Sequence, residues 1–160
     1  MQPTRETDTY ILFEVASTTY GVKSREVLHV EMIDQVTPVP NAPAFVDGVV
    51  FSRGQVIPAA NLRVRFGFPR APHTLRTRLL VVQSSERAVG LVVDSAREFK
   101  AIPPQTIQPP DAAIAGLSGK FLSGIATLDD RLVLLLDLRA TLSLLEVEAS
   151  VLSQEPALVS

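Results

Sequence analysis

The sequence predicts a mostly β protein made of small barrels, with one helix near the C-terminal end. About ten short segments are rich in β-branched and other apolar residues, and prolines, glycines or polar turns separate them. Thr77–Gln83 and Ala88–Asp94 form the clearest strand pair, since a short polar turn joins them. Residues 137–148 have leucines at helical spacing, with Asp137 as a fitting N-cap. Many short strands followed by one helix are typical of small barrels.

The N-terminal part of the chain supplies a further series of predicted strands. They are Tyr10–Ala16, Tyr20–Val22, the second part of Ser24–Ile33, Gly48–Val50 and Val56–Ala60. We expect a helical turn at the start of Ser24–Ile33, because Val27 and Val30 are three residues apart. Prolines between residues 38 and 43 exclude a central strand there. Asn41 is expected to cap a short helical turn that ends near Phe45.

Beyond residue 60 the pattern predicts a helical turn, a third strand, an irregular connection and a second hairpin. Asn61 caps the turn and Gly67 ends it. Arg97–Ile102 alternates as a strand does, whereas the four prolines of Pro103–Gly119 indicate an irregular connection. The second hairpin consists of Phe121–Leu128 and Arg131–Leu136, around Asp129–Asp130.

Composition indicates one soluble intracellular domain. A length of 160 residues fits a single domain, and we expect it to span residues 9–147, between flexible tails at residues 1–8 and 148–160. The longest apolar run, Leu132–Leu136, is far too short to span a bilayer, and the N-terminus lacks the apolar core of a secretory signal. Because the chain has no cysteine, a disulfide framework and a thiolate metal site are excluded.

The charge is small but unevenly distributed. A net charge of −2 argues against a general nucleic-acid binder. No acidic residue occurs between Asp47 and Glu86, however, and six arginines fall in that stretch: Arg53, Arg63, Arg65, Arg70, Arg76 and Arg78. This pattern fits either a solvated basic face or a local patch that meets an acidic partner.

Catalytic and metal-binding patterns are weak throughout. The two histidines, His29 and His73, are not at ligand spacing, and Ser52 is not in a nucleophile-elbow motif. The strand ending in Asp94–Ser95 resembles an aspartic-protease loop, but Ala96 stands where that loop needs glycine. A strand end followed by a turn is the better interpretation. We therefore expect no catalytic residue, cofactor or metal.

The segment Ser52–Gln55 is the strongest binding candidate. It lies between two predicted strands and is expected to be a hairpin turn in which Gly54 supplies a positive φ. Arg53 at the tip would direct the several donors of its guanidinium outward from a rigid base.

The order of motifs resembles the CheW-like domain of bacterial chemotaxis coupling proteins. The matching pieces are Tyr20–Val22, Pro40–Pro58, Asn61–Gly67, Val89–Asp94, Gly124–Ala126 and Leu135–Leu138. The likeness covers about residues 9–146, and the stretch from Pro43 to Gly67 is its specific part.

This resemblance implies two intertwined five-stranded, SH3-like barrels that share an apolar seam. It also implies a scaffold that joins the regulatory domain of a histidine kinase to the cytoplasmic tip of a chemoreceptor. Such a scaffold is cytoplasmic and lies beneath the inner membrane in receptor arrays without inserting into it. It binds neither cofactor nor nucleic acid.

The resemblance also implies two sets of contact residues. Receptor contacts would line the groove between the barrels, at Val27, His29, Arg53, Ala96 and Phe99. Kinase contacts would lie on exposed strand ends, near Tyr20, Val22 and Ile57.

The chain departs from the usual family pattern at a few positions. Phe51–Ser52 replace the usual Asn-Leu before the Arg-Gly pair, Asn61 replaces an acidic residue, and His29 stands where glutamate is common. An adaptor of a chemosensory pathway that controls pili or gliding fits these departures as well. Two other classes stay open on separate grounds. One is a small-barrel module that binds an oligonucleotide along the basic stretch, with Phe51, Phe66 and Phe68 as stacking platforms. The other is an aspartic-protease-like enzyme, which would require a dimer.

Overall fold

The computed structural model describes residues 7–84, 87–110 and 121–143. Within these ranges the protein is mostly β, with eleven strands, two short α-helices and two 3₁₀ turns at Ser24–Glu26 and Pro104–Thr106. The strands are β1 (Asp8–Val15), β2 (Thr18–Lys23), β3 (Val27–Met32), β4 (Val46–Ser52), β5 (Gln55–Asn61), β6 (Arg78–Ser84), β7 (Arg87–Val93), β8 (Ser95–Ile102), β9 (Ile107–Gln108), β10 (Leu122–Leu128) and β11 (Arg131–Leu136). The helices are α1 (Leu62–Arg65) and α2 (138–143).

The strands form two sheets that are interleaved along the chain. The first sheet has the order β8-β1-β2-β11-β10-β9, and the second has the order β3-β6-β7-β5-β4. The second sheet is therefore inserted between β2 and β8 of the first, which confirms the predicted intertwining. All neighbouring strands are antiparallel except the pairs β2–β11 and β5–β7. The first sheet has one strand more than the five expected, because Ile107 and Gln108 pair with β10 within the predicted irregular connection.

Three apolar clusters fill the described part of the chain, one for each sheet and one between the sheets. Along β1, Tyr10 and Leu12 belong to the cluster of the first sheet, whereas Ile11, Phe13 and Val15 belong to the shared cluster. Likewise, alternate residues of β6 face the second sheet's own cluster and the shared one. Successive side chains of a strand point to opposite faces, so a strand covered on both faces is apolar at every position. This arrangement explains the continuous runs Tyr10–Phe13 and Leu79–Val82.

The predicted helix caps and helix ends agree with the structure, except at Asn41. The Asn61 side chain accepts a hydrogen bond from Val64 N at 3.3 Å, and Asp137 accepts one from Ala140 N at 3.1 Å, so both are N-caps. Gly67, with φ of 92°, follows α1 as expected. Asn41 is different: its φ of 60° places it in a turn, and the predicted helical turn is absent from residues 41–45.

Several expectations lie outside the described residues. The two proposed tails fall there almost entirely, as does the continuation of α2 beyond residue 143, and these stay predictions. In the described part of the chain, no helix is long and apolar enough to cross a membrane.

Candidate partner-binding groove

A groove of about 370 Å³ lies between the two sheets, and an edge strand of each sheet forms one of its walls. The wall from β3 contributes Val27, Leu28, His29 and Val30, and the wall from β8 contributes Ala96, Arg97, Glu98 and Phe99. Edge strands have one side free of sheet pairing, so a gap between two of them is open to a partner.

Each wall contains a β-bulge that shapes the groove. On β3, Val27 pairs with Val82 and His29 with Val81, so Leu28 is an extra residue. On β8, Arg97 is extra in the same way, because Leu12 pairs with Glu98 and Phe13 with Ala96. A bulge shifts the alternation of side chains by one position.

The predicted helical turn is present at the start of Ser24–Ile33, but the spacing of Val27 and Val30 that suggested it has a different cause. Val27 and Val30 share a face because Leu28 is bulged, and both pack against the shared cluster. Their three-residue separation therefore reflects a bulged strand, and the helical turn is confined to Ser24–Glu26. By the same mechanism, the bulge at Arg97 places Ala96 and Phe99 on the same face of β8, and both line the groove.

The groove contains four of the five predicted receptor contacts, namely Val27, His29, Ala96 and Phe99. Phe99 is 67% exposed and Leu28, which the sequence analysis did not single out, is 53% exposed. Two large apolar side chains at the rim of a groove indicate a surface that is covered in the functional assembly.

Arg53, the fifth predicted contact, lies at the hairpin tip and not in the groove wall. It shares a two-residue turn with Gly54, and their φ values of 48° and 83° are typical of a type I′ turn. Positive φ is uncommon for a residue other than glycine, asparagine or aspartate. Arg53 is exposed and has no hydrogen bond or ion pair within the described residues. Its guanidinium is therefore available to a partner.

Ser52 connects the hairpin tip to the groove through a cluster of three polar side chains. Its Oγ lies 3.1 Å from His29 Nε2 and donates to Glu31 Oε2 at 3.0 Å. His29 Nε2 is also 2.8 Å from Glu31 Oε2. The sequence analysis identified His29 but missed Glu31, because the link depends on which residues of β3 and β4 face each other.

The predicted kinase contacts Tyr20, Val22 and Ile57 have buried side chains, so these three do not supply the exposed surface that was expected near them. Their side chains are only 4%, 0% and 4% exposed, since they belong to the apolar clusters. Tyr20 stacks between Phe13 and Phe66, and burial raises its pKa. These side chains stabilise the fold and cannot contact a partner.

Exposed apolar side chains do occur close to Ile57. Phe51 and Val56 face each other across the hairpin β4–β5, and they are 74% and 67% exposed. We call these two residues the hairpin patch. Neither residue lines the groove, but Val56 lines a second depression that Leu28 of the groove rim also lines.

The acid-free stretch is not a continuous basic surface. Arg63 binds Asp94, and Arg70 binds Asp47 at 2.7 Å. The Arg65 guanidinium lies 4.7 Å from the ring centroids of both Phe45 and Phe121, and burial lowers its pKa. Phe66 is buried and cannot stack on a base. These contacts remove the main support for an oligonucleotide-binding module.

The contacts of Asp94 stabilise the fold and differ from those of an aspartic-protease carboxylate, which shares a proton with a second aspartate. Its carboxylate accepts hydrogen bonds from Arg63 Nε and Nη2 at 2.9 Å and from the Ala16 N–H at 2.8 Å. Among the residues that the structure describes, no group of three or more potential metal ligands comes together.

Comparison with known proteins agrees with the fold. The family model of the CheW-like domain matches residues 9–146. A probable chemotaxis protein CheW from Rhizobium etli is 31% identical over 140 residues, which are 88% of this chain and 90% of that protein. The protein FrzA from Myxococcus xanthus is 34% identical over 114 residues, covering 69% of this chain and 71% of its own.

A solved structure shows the same architecture. The scaffolding protein TtCheW from Thermoanaerobacter tengcongensis superposes with a TM-score of 0.77 at 27% identity, and the match covers 82% of this chain and 90% of that one. The interleaved sheets, the motif order and the family match over residues 9–146 lead to one conclusion. The chain belongs to the CheW-like domain family, whose members include chemotaxis and scaffolding proteins.

Proposed function

We propose that this chain is a non-enzymatic scaffold that couples a chemoreceptor to a histidine kinase at the cytoplasmic face of the membrane. The observation that supports this most directly is the groove between β3 and β8, with exposed Phe99 and Leu28 at its rim. Membership of the CheW-like family supplies the biological context.

The receptor would bind as an amphipathic helical hairpin laid along the groove. Its apolar stripe would cover Phe99 and Leu28, since helix-in-groove recognition buries apolar side chains at helical spacing. Arg53 would stand beyond the groove, at the rim of the interface, and donate to a receptor carboxylate or backbone carbonyl.

The kinase regulatory domain would bind the hairpin patch, Phe51 and Val56. The patch replaces the buried Tyr20, Val22 and Ile57 as the candidate surface, because it is exposed and neither of its residues lines the groove. Distinct contact residues would let both partners bind one molecule together, as coupling requires.

Arg53→Glu is expected to weaken binding of the receptor's cytoplasmic hairpin by about tenfold or more, because a repulsive charge replaces a rim donor. Arg76→Glu is the matched control, since Arg76 is exposed, lies in the same acid-free stretch and has no ion pair among the described residues. Affinity measured by titration calorimetry, with thermal unfolding to verify the fold, tests the assignment. Equal affinities for the wild type and the folded Arg53→Glu variant would show that Arg53 is not a receptor contact.

A second candidate is an adaptor of a chemosensory pathway that controls pili or gliding. The departures from the usual pattern support it, since His29, Ser52 and Phe51 are contiguous: His29 bonds Ser52, and Phe51 is the next residue. A connected change of this kind is expected where the partner itself has changed. Deletion of the gene, scored for swimming and for surface movement, separates the two pathways.

A further inference from the structure

The second sheet closes between its two edge strands, β3 and β4. The strand order β3-β6-β7-β5-β4 places these strands at opposite ends of the sheet, so they are not neighbours in its ladder. His29 and Glu31 of β3 lie opposite two residues of β6 that belong to the second sheet's own cluster. Ser52 of β4 is two residues from Val50 of that cluster and shares its face of the strand. The three polar side chains therefore lie on the inner face of this sheet.

Three polar contacts join the two edges at this point. Ser52 Oγ donates to Glu31 Oε2 at 3.0 Å and lies 3.1 Å from His29 Nε2, and the same Nε2 is 2.8 Å from Glu31 Oε2. We call these three residues the latch. Its contacts can form with charged or neutral His29, since Nε2 can donate to the carboxylate in both forms. Ser52 is buried and the other two side chains are largely shielded from solvent, which strengthens these bonds.

The latch lies directly beside a strained turn. Ser52 and Gln55 are the last paired residues of the hairpin β4–β5, and Arg53 between them has φ of 48°. A residue other than glycine keeps such a conformation only where the surrounding structure holds it. Gln55 is exposed, whereas Ser52 is bonded to β3. The latch therefore ties the base of the turn to a strand with which β4 has no ladder pairing.

We propose that Glu31 and Ser52 are positioning residues for Arg53, which with His29 hold the hairpin tip against β3 so that the guanidinium projects from a fixed place beside the groove. His29 also lines the groove, so the latch joins the groove wall to the tip. A donor that is already held in place loses less conformational freedom on binding, and this raises affinity. The inference rests on the proposed function in one respect, namely that Arg53 contacts the receptor.

Amide hydrogen exchange of the free full-length chain, followed by NMR, tests the latch without a partner. In the Glu31→Ala/Ser52→Ala variant the tip should separate from β3 more often, and the Gln55 amide should exchange about tenfold faster or more. Val50→Ala is the matched control, because it truncates a buried side chain on the same face of the same strand and leaves the latch intact. It should lower the unfolding midpoint but change the Gln55 exchange rate by less than about threefold.

Binding of the purified cytoplasmic hairpin of a chemoreceptor from the same cell tests the positioning of Arg53 through a double-mutant cycle. The Glu31→Ala/Ser52→Ala variant should bind about tenfold more weakly than the wild type. In an Arg53→Ala background the same change should alter affinity by less than about threefold, because no guanidinium is left to position. If the double variant does not fold, Ser52→Ala alone gives the same comparison, since it removes the link to β4 and keeps the contact between His29 and Glu31.

Three results would overturn the inference. Equal Gln55 exchange in the wild type and the folded latch variant, or equal acceleration by Val50→Ala, would show that the latch does not hold the tip. A binding loss of the same size with and without Arg53 would show that the latch supports the fold and does not position Arg53. If that hairpin does not bind the wild type either, the proposed function fails and the positioning role with it, while the exchange rates still decide whether the latch holds the tip.

Discussion

Replacement of Asp94 by alanine is expected to lower the free energy of unfolding by about 2–3 kcal/mol, as is typical of lost hydrogen bonds to a charged group. Asp94 lies at the crossover from β7 to β8, where the chain passes from the second sheet to the first. Its carboxylate binds Arg63 of α1 through two nitrogens and also accepts from Ala16 N. One side chain therefore connects both sheets.

The contact with Ala16 increases the stability that Asp94→Ala is expected to lose. Ala16 and Ser17 form the turn between β1 and β2, and both have positive φ, of 50° and 67°. Such a conformation is unfavourable for alanine, so the turn depends on contacts like the bond from Ala16 N to Asp94. Without the carboxylate, this N–H and the Arg63 guanidinium both lose a partner.

Urea unfolding monitored by circular dichroism measures the effect. Asp94→Asn should have an intermediate effect, because the amide oxygen still accepts from Ala16 N whereas the charge opposite Arg63 is lost. The matched surface control is Lys100→Ala. Lys100 Nζ lies 3.7 Å from Asp129 Oδ2, and the Asp129 side chain is 84% exposed. Loss of this ion pair should lower the free energy of unfolding by less than about 1 kcal/mol. A loss from Asp94→Ala no larger than that of the control would show that the connection does not stabilise the fold.

Gly48→Ala should destabilise the protein by about 3 kcal/mol or more, as overpacking against an unyielding backbone does. Gly48 has φ of 149°, and a Cβ there would lie 2.6 Å from the Thr37 carbonyl carbon and 2.9 Å from Pro38 Cα, with the Thr37 oxygen closer still. The opposing backbone is held in place, because Thr37 and Val49 exchange hydrogen bonds of 2.9 and 2.8 Å. Relief of the clash would break that bridge.

Gly54 provides the matched control for this prediction. It has φ of 83°, but a Cβ there meets no atom within 4 Å. Gly54→Ala should therefore cost only the conformational penalty, about 1 kcal/mol. Thermal unfolding of both variants separates steric clash from backbone preference. Equal losses in the two variants would mean that the close approach to Thr37 does not decide the outcome.

Local signals in the sequence predicted most of the elements. The predicted hairpin turns at Arg53–Gly54 and Asp129–Asp130 form between the expected strands. The caps Asn61 and Asp137 were identifiable because their function depends only on neighbours within one helical turn. The two-residue strand β9 was missed, since so short a strand has no periodicity of its own.

The exposure of particular strand residues was harder to predict. Tyr20 and Val22 belong to the shared cluster and Ile57 to the cluster of the second sheet, and their strands have no continuous apolar run that would indicate burial. The bulges at Leu28 and Arg97 also interrupt the period of two on which face assignment depends. The polar cluster was inaccessible for a related reason: Glu31 and Ser52 are brought together by packing between β3 and β4, which are not adjacent in their sheet.

Simultaneous binding of two partners tests the proposal that this chain is a coupling scaffold most directly. We would mix the chain with the cytoplasmic hairpin of a receptor and the regulatory domain of a kinase from the same cell, and measure complex mass by light scattering. The proposal predicts one complex that contains all three proteins. Phe99→Asp should lose the receptor and retain the kinase, and Val56→Asp should do the opposite, because both side chains are exposed and only Phe99 lines the groove. Mutually exclusive binding of the two partners, or a complete complex with the folded Phe99→Asp variant, would contradict it.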